Sequence, residues 1–206
     1  MKSLLIIIHG RKVNLPKSFK AFWRRFYSYF GVDIGDDKWS FDLRRYIEKF
    51  NGFDVLAFNW TGGISRLFSI NPSAKKLAKL IDNSPHQKIV LFGKSLGGTV
   101  AEIAIKKSKY RNKISKIIYV ATPHKSNKVL LPRSVKIVNI YSNEDKVLDL
   151  ANILLHFCLG SKHLKNGRNI IIKNLCHSDF NKNIEIYHDN KKIALYDFYK
   201  KIIYEQ

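Results

Sequence analysis

The chain reads as a three-layer α/β domain, a mostly parallel sheet of about six strands with helices on both faces. Three observations predict this. Short apolar runs recur at residues 4–8, 53–58, 89–92, 117–121, 135–141 and 169–175. Most are nearly continuous in Ile, Val, Leu and Phe and do not alternate with polar residues, as expected of strands covered on both faces. The gaps between them hold segments of helical period, and repeated strand–helix units with right-handed crossovers close on a parallel sheet.

The elements follow in order. The first run follows Lys2-Ser3 and mimics the start of a signal peptide. It is too short for the apolar stretch of one and ends in His9-Gly10, not at a small-residue cleavage site, so it is predicted to be a buried strand. A helix over 41–50 is expected behind Ser40 as N-cap. A second, over 73–81, follows Pro72 and places Ala74, Leu77, Ala78 and Ile81 on one face. A third, over 96–107, follows the turn Gly93-Lys94-Ser95, and a last one over 193–203 closes the chain. With no repeat, low-complexity tract or Pro/Ser-rich linker, residues 1–206 are expected to form one domain.

Composition narrows the class. Apolar residues make up 45% of the chain, a globular figure. No run approaches the roughly 18 apolar residues of a membrane span, and a cytoplasmic location is expected. Two cysteines, Cys158 and Cys176, make neither a disulfide framework nor a metal motif, and no metal or cofactor is called for. The formal charge of +21 has two readings. One is attraction to an anionic partner such as a membrane surface; the other is dispersed lysine on solvated helix faces.

The chemistry-bearing segment is residues 88–101, which contains Gly93-Lys94-Ser95-Leu96-Gly97. A buried strand ends at Gly93 and a helix begins just after Ser95, so the turn between them is sharp. Such a turn strains its central residue and exposes its hydroxyl, and side chains at the flanking glycines would collide across it. Gly98 lets the helix pack closely on the sheet. The helix N-terminus then offers unpaired N–H groups to a developing oxyanion. Gly93-Lys94-Ser95 also resembles the end of a phosphate-binding loop, but that motif needs glycine where Lys88 stands and a loop where Ile-Val-Leu-Phe stands.

At these residues the chain resembles the α/β-hydrolase superfamily, in particular its compact lipase and esterase branch, over nearly its whole length. The resemblance implies strand order 2-1-3-4-5-6, a minimal version of the fold that begins on the His-Gly strand. It implies the chain order nucleophile, acid, histidine. Ser95 is then the nucleophile. Asp145, in Ser142-Asn143-Glu144-Asp145, is the acid, with Glu144 and Asp149 as alternatives. His177, directly beyond the last apolar run, is the base, and His188 its rival. The implied oxyanion donors are the backbone N–H groups of Leu96 and of Arg11, with Gly10 opening the loop after His9. Ala121-Thr122-Pro123-His124 partly matches another motif of the branch, which makes His124, like His9, a pocket or loop residue.

The implied reaction is hydrolysis of a carboxylic ester, with or without a long acyl chain, through an acyl-enzyme. A thioesterase or amidase with the same triad, and a non-catalytic binding protein of this fold, are the rival readings. Two segments could cover a pocket: the aromatic and basic stretch 19–30 and the apolar stretch 148–159. The first suits an anionic lipid interface or packing on the sheet; a specific nucleic-acid partner is not expected.

Overall fold

Six strands form a parallel sheet: β1 (Ser3–Ile8), β2 (Phe53–Phe58), β3 (Ile89–Lys94), β4 (Ile114–Val120), β5 (Lys136–Tyr141) and β6 (Arg168–Ile171). Their order is β2-β1-β3-β4-β5-β6, as the resemblance implies. This computed structural model describes residues 2–9, 38–60, 66–124, 126–148 and 162–205. Four α-helices lie among them: α1 (Lys38–Glu48), α2 (Arg66–Asn83), α3 (Leu96–Lys107) and α4 (Leu195–Tyr204). None is long and apolar enough to cross a membrane.

Burial explains why the strands read as continuous apolar runs. Leu5, Ile7, Val90, Phe92, Ile118 and Val120 face one core, shared with Trp39 and Leu43 of α1 and Phe198, Tyr199 and Ile202 of α4. Their alternates Leu4, Ile6, Ile8, Leu91 and Ile117 face a second core, shared with Leu77 and Ile81 of α2 and Val100 and Ala104 of α3. Both faces of the sheet are therefore covered, which gives the three layers.

One buried charge ties the layers. Lys116 points from β4 toward the end of α4, where its Nζ donates to the carbonyls of Ile202 at 2.8 Å, Ile203 at 3.3 Å and Glu205. It satisfies carbonyls that a helix C-terminus leaves without intrahelical partners. Burial pulls its pKa below the usual lysine value.

Several boundaries differ from expectation. α1 begins at Lys38, so Ser40 is a buried residue of its first turn and not the cap. α2 extends back to Arg66 and carries Pro72 inside it; burial of Ile70 in the turn before the proline favours the longer helix. β6 stops at Ile171, although Ile172 and Leu175 are buried. Their apolarity fills core from a loop, which periodicity does not separate from a strand.

The expected last helix is shorter, because residues 191–194 form a strand. β7 (Glu185–His188) and β8 (Lys191–Ala194) pair antiparallel, outside the main sheet. Asp189 and Asn190 join them with φ of 50° and 60°. Two consecutive residues at positive φ match the handedness of a two-residue hairpin turn.

Candidate active site

In a parallel sheet every strand ends on the same edge. Residues following β1, β3, β4, β5 and β6 (His9, Ser95, His124, Asp145 and His177) therefore gather at one edge despite their separation in sequence. The chain leaves β1 for β2 on one side and returns to β3 on the other. A crevice opens at such a switch point, here between the carboxyl ends of β1 and β3.

Ser95 follows β3 at that switch point in a strained conformation, φ 51° and ψ −131°. Its N–H donates to the Val120 carbonyl at 2.8 Å, and its own carbonyl accepts from Gly98 N–H at 3.0 Å. The peptide is thus fixed on both sides while the side chain stays half-buried. Glycines make the turn possible. A Cβ on Gly93 would stand 2.6 Å from Gly98 Cα, and one on Gly97 would stand 2.4 Å from the carbonyl oxygens of both Ile8 and His9. No side chain fits those gaps, so the small residues are a steric requirement of the elbow.

His177 and Asp145 are brought together. His177 Nδ1 lies 2.8 Å from Asp145 Oδ2. Asp145 is fully buried, and its other oxygen accepts the N–H groups of Val147 at 3.1 Å and Leu148 at 3.2 Å. With the carboxylate so held, the proton of the neutral imidazole belongs on Nδ1, leaving Nε2 as the basic nitrogen. Burial lowers the His177 pKa, and the nearby Lys94 ammonium lowers it further against the opposing effect of Asp145. Lys94, directly before the nucleophile, is itself buried. The Ser95 hydroxyl and His177 are not hydrogen-bonded to one another in this structure; such contacts often tighten only with substrate present.

The rival residues sit elsewhere. Glu144 is exposed and accepts the Ser142 hydroxyl at 2.5 Å, which lowers its pKa. His188 is on the hairpin, against Asp189 at 3.2 Å and edge-on to Phe198. His124 is buried below the edge, its Nε2 3.2 Å from Asn139 Oδ1 and its ring against Tyr119. Burial lowers its pKa. That makes it a brace between β4 and β5. Gly10, Arg11, Asp149 and the segment 19–30 lie outside the described residues, as does nearly all of 148–159. Leu96, the other expected oxyanion donor, is the first residue of α3.

Two further residues escape a reading of sequence alone. Lys94 reads there as the variable position of a motif; only its burial reveals it as a charge near the base. Trp60 donates to His9 twice, from its backbone N–H to the ring Nε2 at 3.1 Å and from its indole Nε1–H to the carbonyl at 2.9 Å. Its available signal is position: Trp60 follows β2 as His9 follows the neighbouring β1.

A family model described as the PGAP1-like alpha/beta domain matches residues 17–156, more than half of the chain. The chain belongs to the PGAP1-like α/β domain family. The matched span of this PGAP1-like chain contains Ser95 and Asp145 and ends before His177. A GPI inositol-deacylase of Candida albicans is 32% identical over 75 residues, 34% of this chain and 19% of that protein. The PGAP1-like chain thus matches a small part of that relative.

Solved structures share the fold at low identity. Mouse alpha/beta hydrolase domain-containing protein 10 superposes with a TM-score of 0.56 at 11% identity, over 97% of this chain and 87% of that one. An alpha/beta hydrolase enzyme from the sediment metagenome of the Mar Chica lagoon gives 0.54 at 15% identity, over 87% and 84%. Polyneuridine aldehyde esterase gives 0.51 at 14% identity, over 87% and 94%. Together with the family match, these neighbours show that the PGAP1-like chain has the fold of the α/β-hydrolases.

Proposed function

We propose that this PGAP1-like domain is a serine hydrolase of carboxylic esters, with Ser95 as nucleophile, His177 as base and Asp145 as its orienting acid. The observation that carries the reading is the buried His177–Asp145 pair, 2.8 Å apart, on the sheet edge that also presents the strained Ser95. His177 Nε2 takes the Ser95 proton as Oγ bonds to the ester carbonyl carbon. The carbonyl oxygen becomes an oxyanion, which the Leu96 N–H would stabilise together with the Arg11 N–H that the family resemblance implies. Collapse breaks the ester C–O bond, and His177 returns the proton to the departing alcohol. Water, deprotonated by the same imidazole, then releases the acid and restores Ser95.

The deacylase relative supports an acyl ester of a polyol as the substrate class. A fluorophosphonate probe tests the activity. Labelling of Ser95 that is absent in Ser95→Ala supports the hydrolase, and absence of labelling between about pH 6 and 9 refutes it. Turnover of p-nitrophenyl esters of graded chain length then reads the acyl preference.

A further inference from the structure

His177 stands at the corner of a turn that one residue closes twice. The Asp179 N–H donates to the Cys176 carbonyl at 3.0 Å, which makes His177 and Ser178 the central residues of a four-residue turn. The Asp179 carboxylate then reaches back, and its Oδ2 accepts the Cys176 N–H at 2.9 Å. The two bonds run in opposite directions between residues three apart, the reach of the reciprocal cap that starts many helices. Asp179 indeed opens a short 3-10 helix, Asp179–Asn181.

The residues after the turn are fixed to the core. Phe180 is fully buried, and its carbonyl accepts the hydroxyl of the fully buried Tyr199 at 3.1 Å. The Tyr196 hydroxyl donates to the Asn181 carbonyl at 3.2 Å. Cys176, the residue before the base, is exposed. Asp179 ties this exposed residue to the side that α4 holds. Its other oxygen accepts Lys182 Nζ at 2.9 Å, which aims the carboxylate. Burial alone would raise the Asp179 pKa, but its hydrogen bonds and the Lys182 and Lys94 charges bring it below the usual carboxylate value. The acceptor is therefore ionised at neutral pH, and its bond to the Cys176 N–H is charge-assisted.

We propose that Asp179 is a positioning residue for the base: by holding the Cys176 N–H it fixes the turn that presents the His177 imidazole. The inference rests on the serine-hydrolase reading. His177 must keep Nδ1 on Asp145 while Nε2 takes and returns the Ser95 proton, so its backbone has little latitude. A displacement of about 1 Å in such a group costs on the order of 100-fold in rate. Asp179 touches no reacting atom in this scheme; it acts through the turn.

Two substitutions and one backbone change in the full chain test this. Asp179→Ala removes the acceptor. Asp179→Asn keeps an oxygen for the Cys176 N–H and loses the charge. The α-hydroxy analogue of cysteine, placed site-specifically at 176, turns that amide into an ester and deletes the N–H. Active sites are counted by exhaustive fluorophosphonate labelling, and kcat and KM are measured on a p-nitrophenyl ester. The proton that His177 Nδ1 shares with Asp145 is followed as a far-downfield NMR resonance. In Asp179→Ala and the ester protein, kcat per labelled site should fall about 10- to 100-fold with KM within about 2-fold, and the resonance should broaden. Asp179→Asn should stay within about 3-fold of the parent and keep the resonance, because a neutral acceptor weakens the bond without removing it.

A merely structural role would lower the number of labelled sites and leave kcat per site and the resonance intact. Parental kcat per site in the ester protein overturns the proposal and leaves the hydrolase reading in place. That protein alone decides if Asp179→Ala fails to fold. An Asp179→Asn protein as slow as Asp179→Ala also overturns it, since charge and not the turn would then govern the base. No labelling of the unaltered protein overturns both.

Discussion

A Cβ on Gly98 would stand 2.2 Å from Thr122 Oγ1, so the third residue of α3 and the loop after β4 share one van der Waals boundary. Thr122 also donates to the Gly93 carbonyl at 3.3 Å, which places it against both arms of the elbow. Gly98→Ala is expected to lower stability by about 1–3 kcal/mol, the usual cost of overpacking a closed site. Adding Thr122→Ala to that variant should recover part of the loss, since it removes the two nearest atoms of the clash. Urea unfolding of both single variants and the double variant checks this, and strict additivity would count against a direct contact.

The carboxylate of Asp145 dictates a specific result for Asp145→Asn. The amide oxygen would remain on the N–H groups of Val147 and Leu148, turning the NH2 toward His177 Nδ1. Imidazole then has to carry its proton on Nε2, toward Ser95, and cannot accept one there. We expect kcat to fall by about 10⁴-fold near neutral pH, the loss known for this exchange in other triads, with little change in folding. A circular dichroism melt alongside steady-state kinetics separates the two effects.

Lys94 should set the lower pH limit of activity. Among the described residues, Lys94 and Asp145 are the charged groups that act on His177, the proposed base; Asp179 accepts the Cys176 N–H at 2.9 Å and feels the Lys94 charge. Burial and Lys94 depress the His177 pKa, so the free base persists to lower pH than for an ordinary imidazole. Removing the ammonium in Lys94→Met raises that pKa, and the acid limb of kcat/KM should move to higher pH. Lys94→Arg should retain the parental limb. A Lys94→Met profile that coincides with the parent would contradict the assignment.

Lys116→Met tests the buried cap. It leaves the carbonyls of Ile202, Ile203 and Glu205 without their donor in a closed site. A loss of roughly 1–3 kcal/mol is expected, read from chemical denaturation.

How much of this was legible beforehand depended on whether a local rule acted alone. The elbow was clearest: strand, Gly-x-Ser-x-Gly and helix made one mechanical unit, and α3 runs over the expected residues 96–107. The family resemblance implies loop positions for Asp145 and His177, but their hydrogen bond is a product of the sheet bringing β5 and β6 side by side. The β7–β8 hairpin was missed because Asp189-Asn190 reads as a turn in front of any element, and Lys191-Lys192-Ile193-Ala194 has no period of its own. Trp60 was invisible for a similar reason. Its role is a relation to His9, fifty-one positions away, set by strand neighbours and not by sequence distance.

The Lys116 cap also bears on the cooperativity of the base loop. Residues 172–194, which carry His177, are strung between β6 and α4, and α4 is anchored at its far end to the central strand β4. Fraying of the C-terminal helix would therefore cost a donor from the middle of the sheet. Amides of α4 should exchange with solvent in one unit with β4, not as a loose terminus. In Lys116→Met that coupling is lost at the amino edge, and the loss reaches the opposite edge as slack in the segment that carries His177, so in this variant inactivation on heating should precede loss of the sheet.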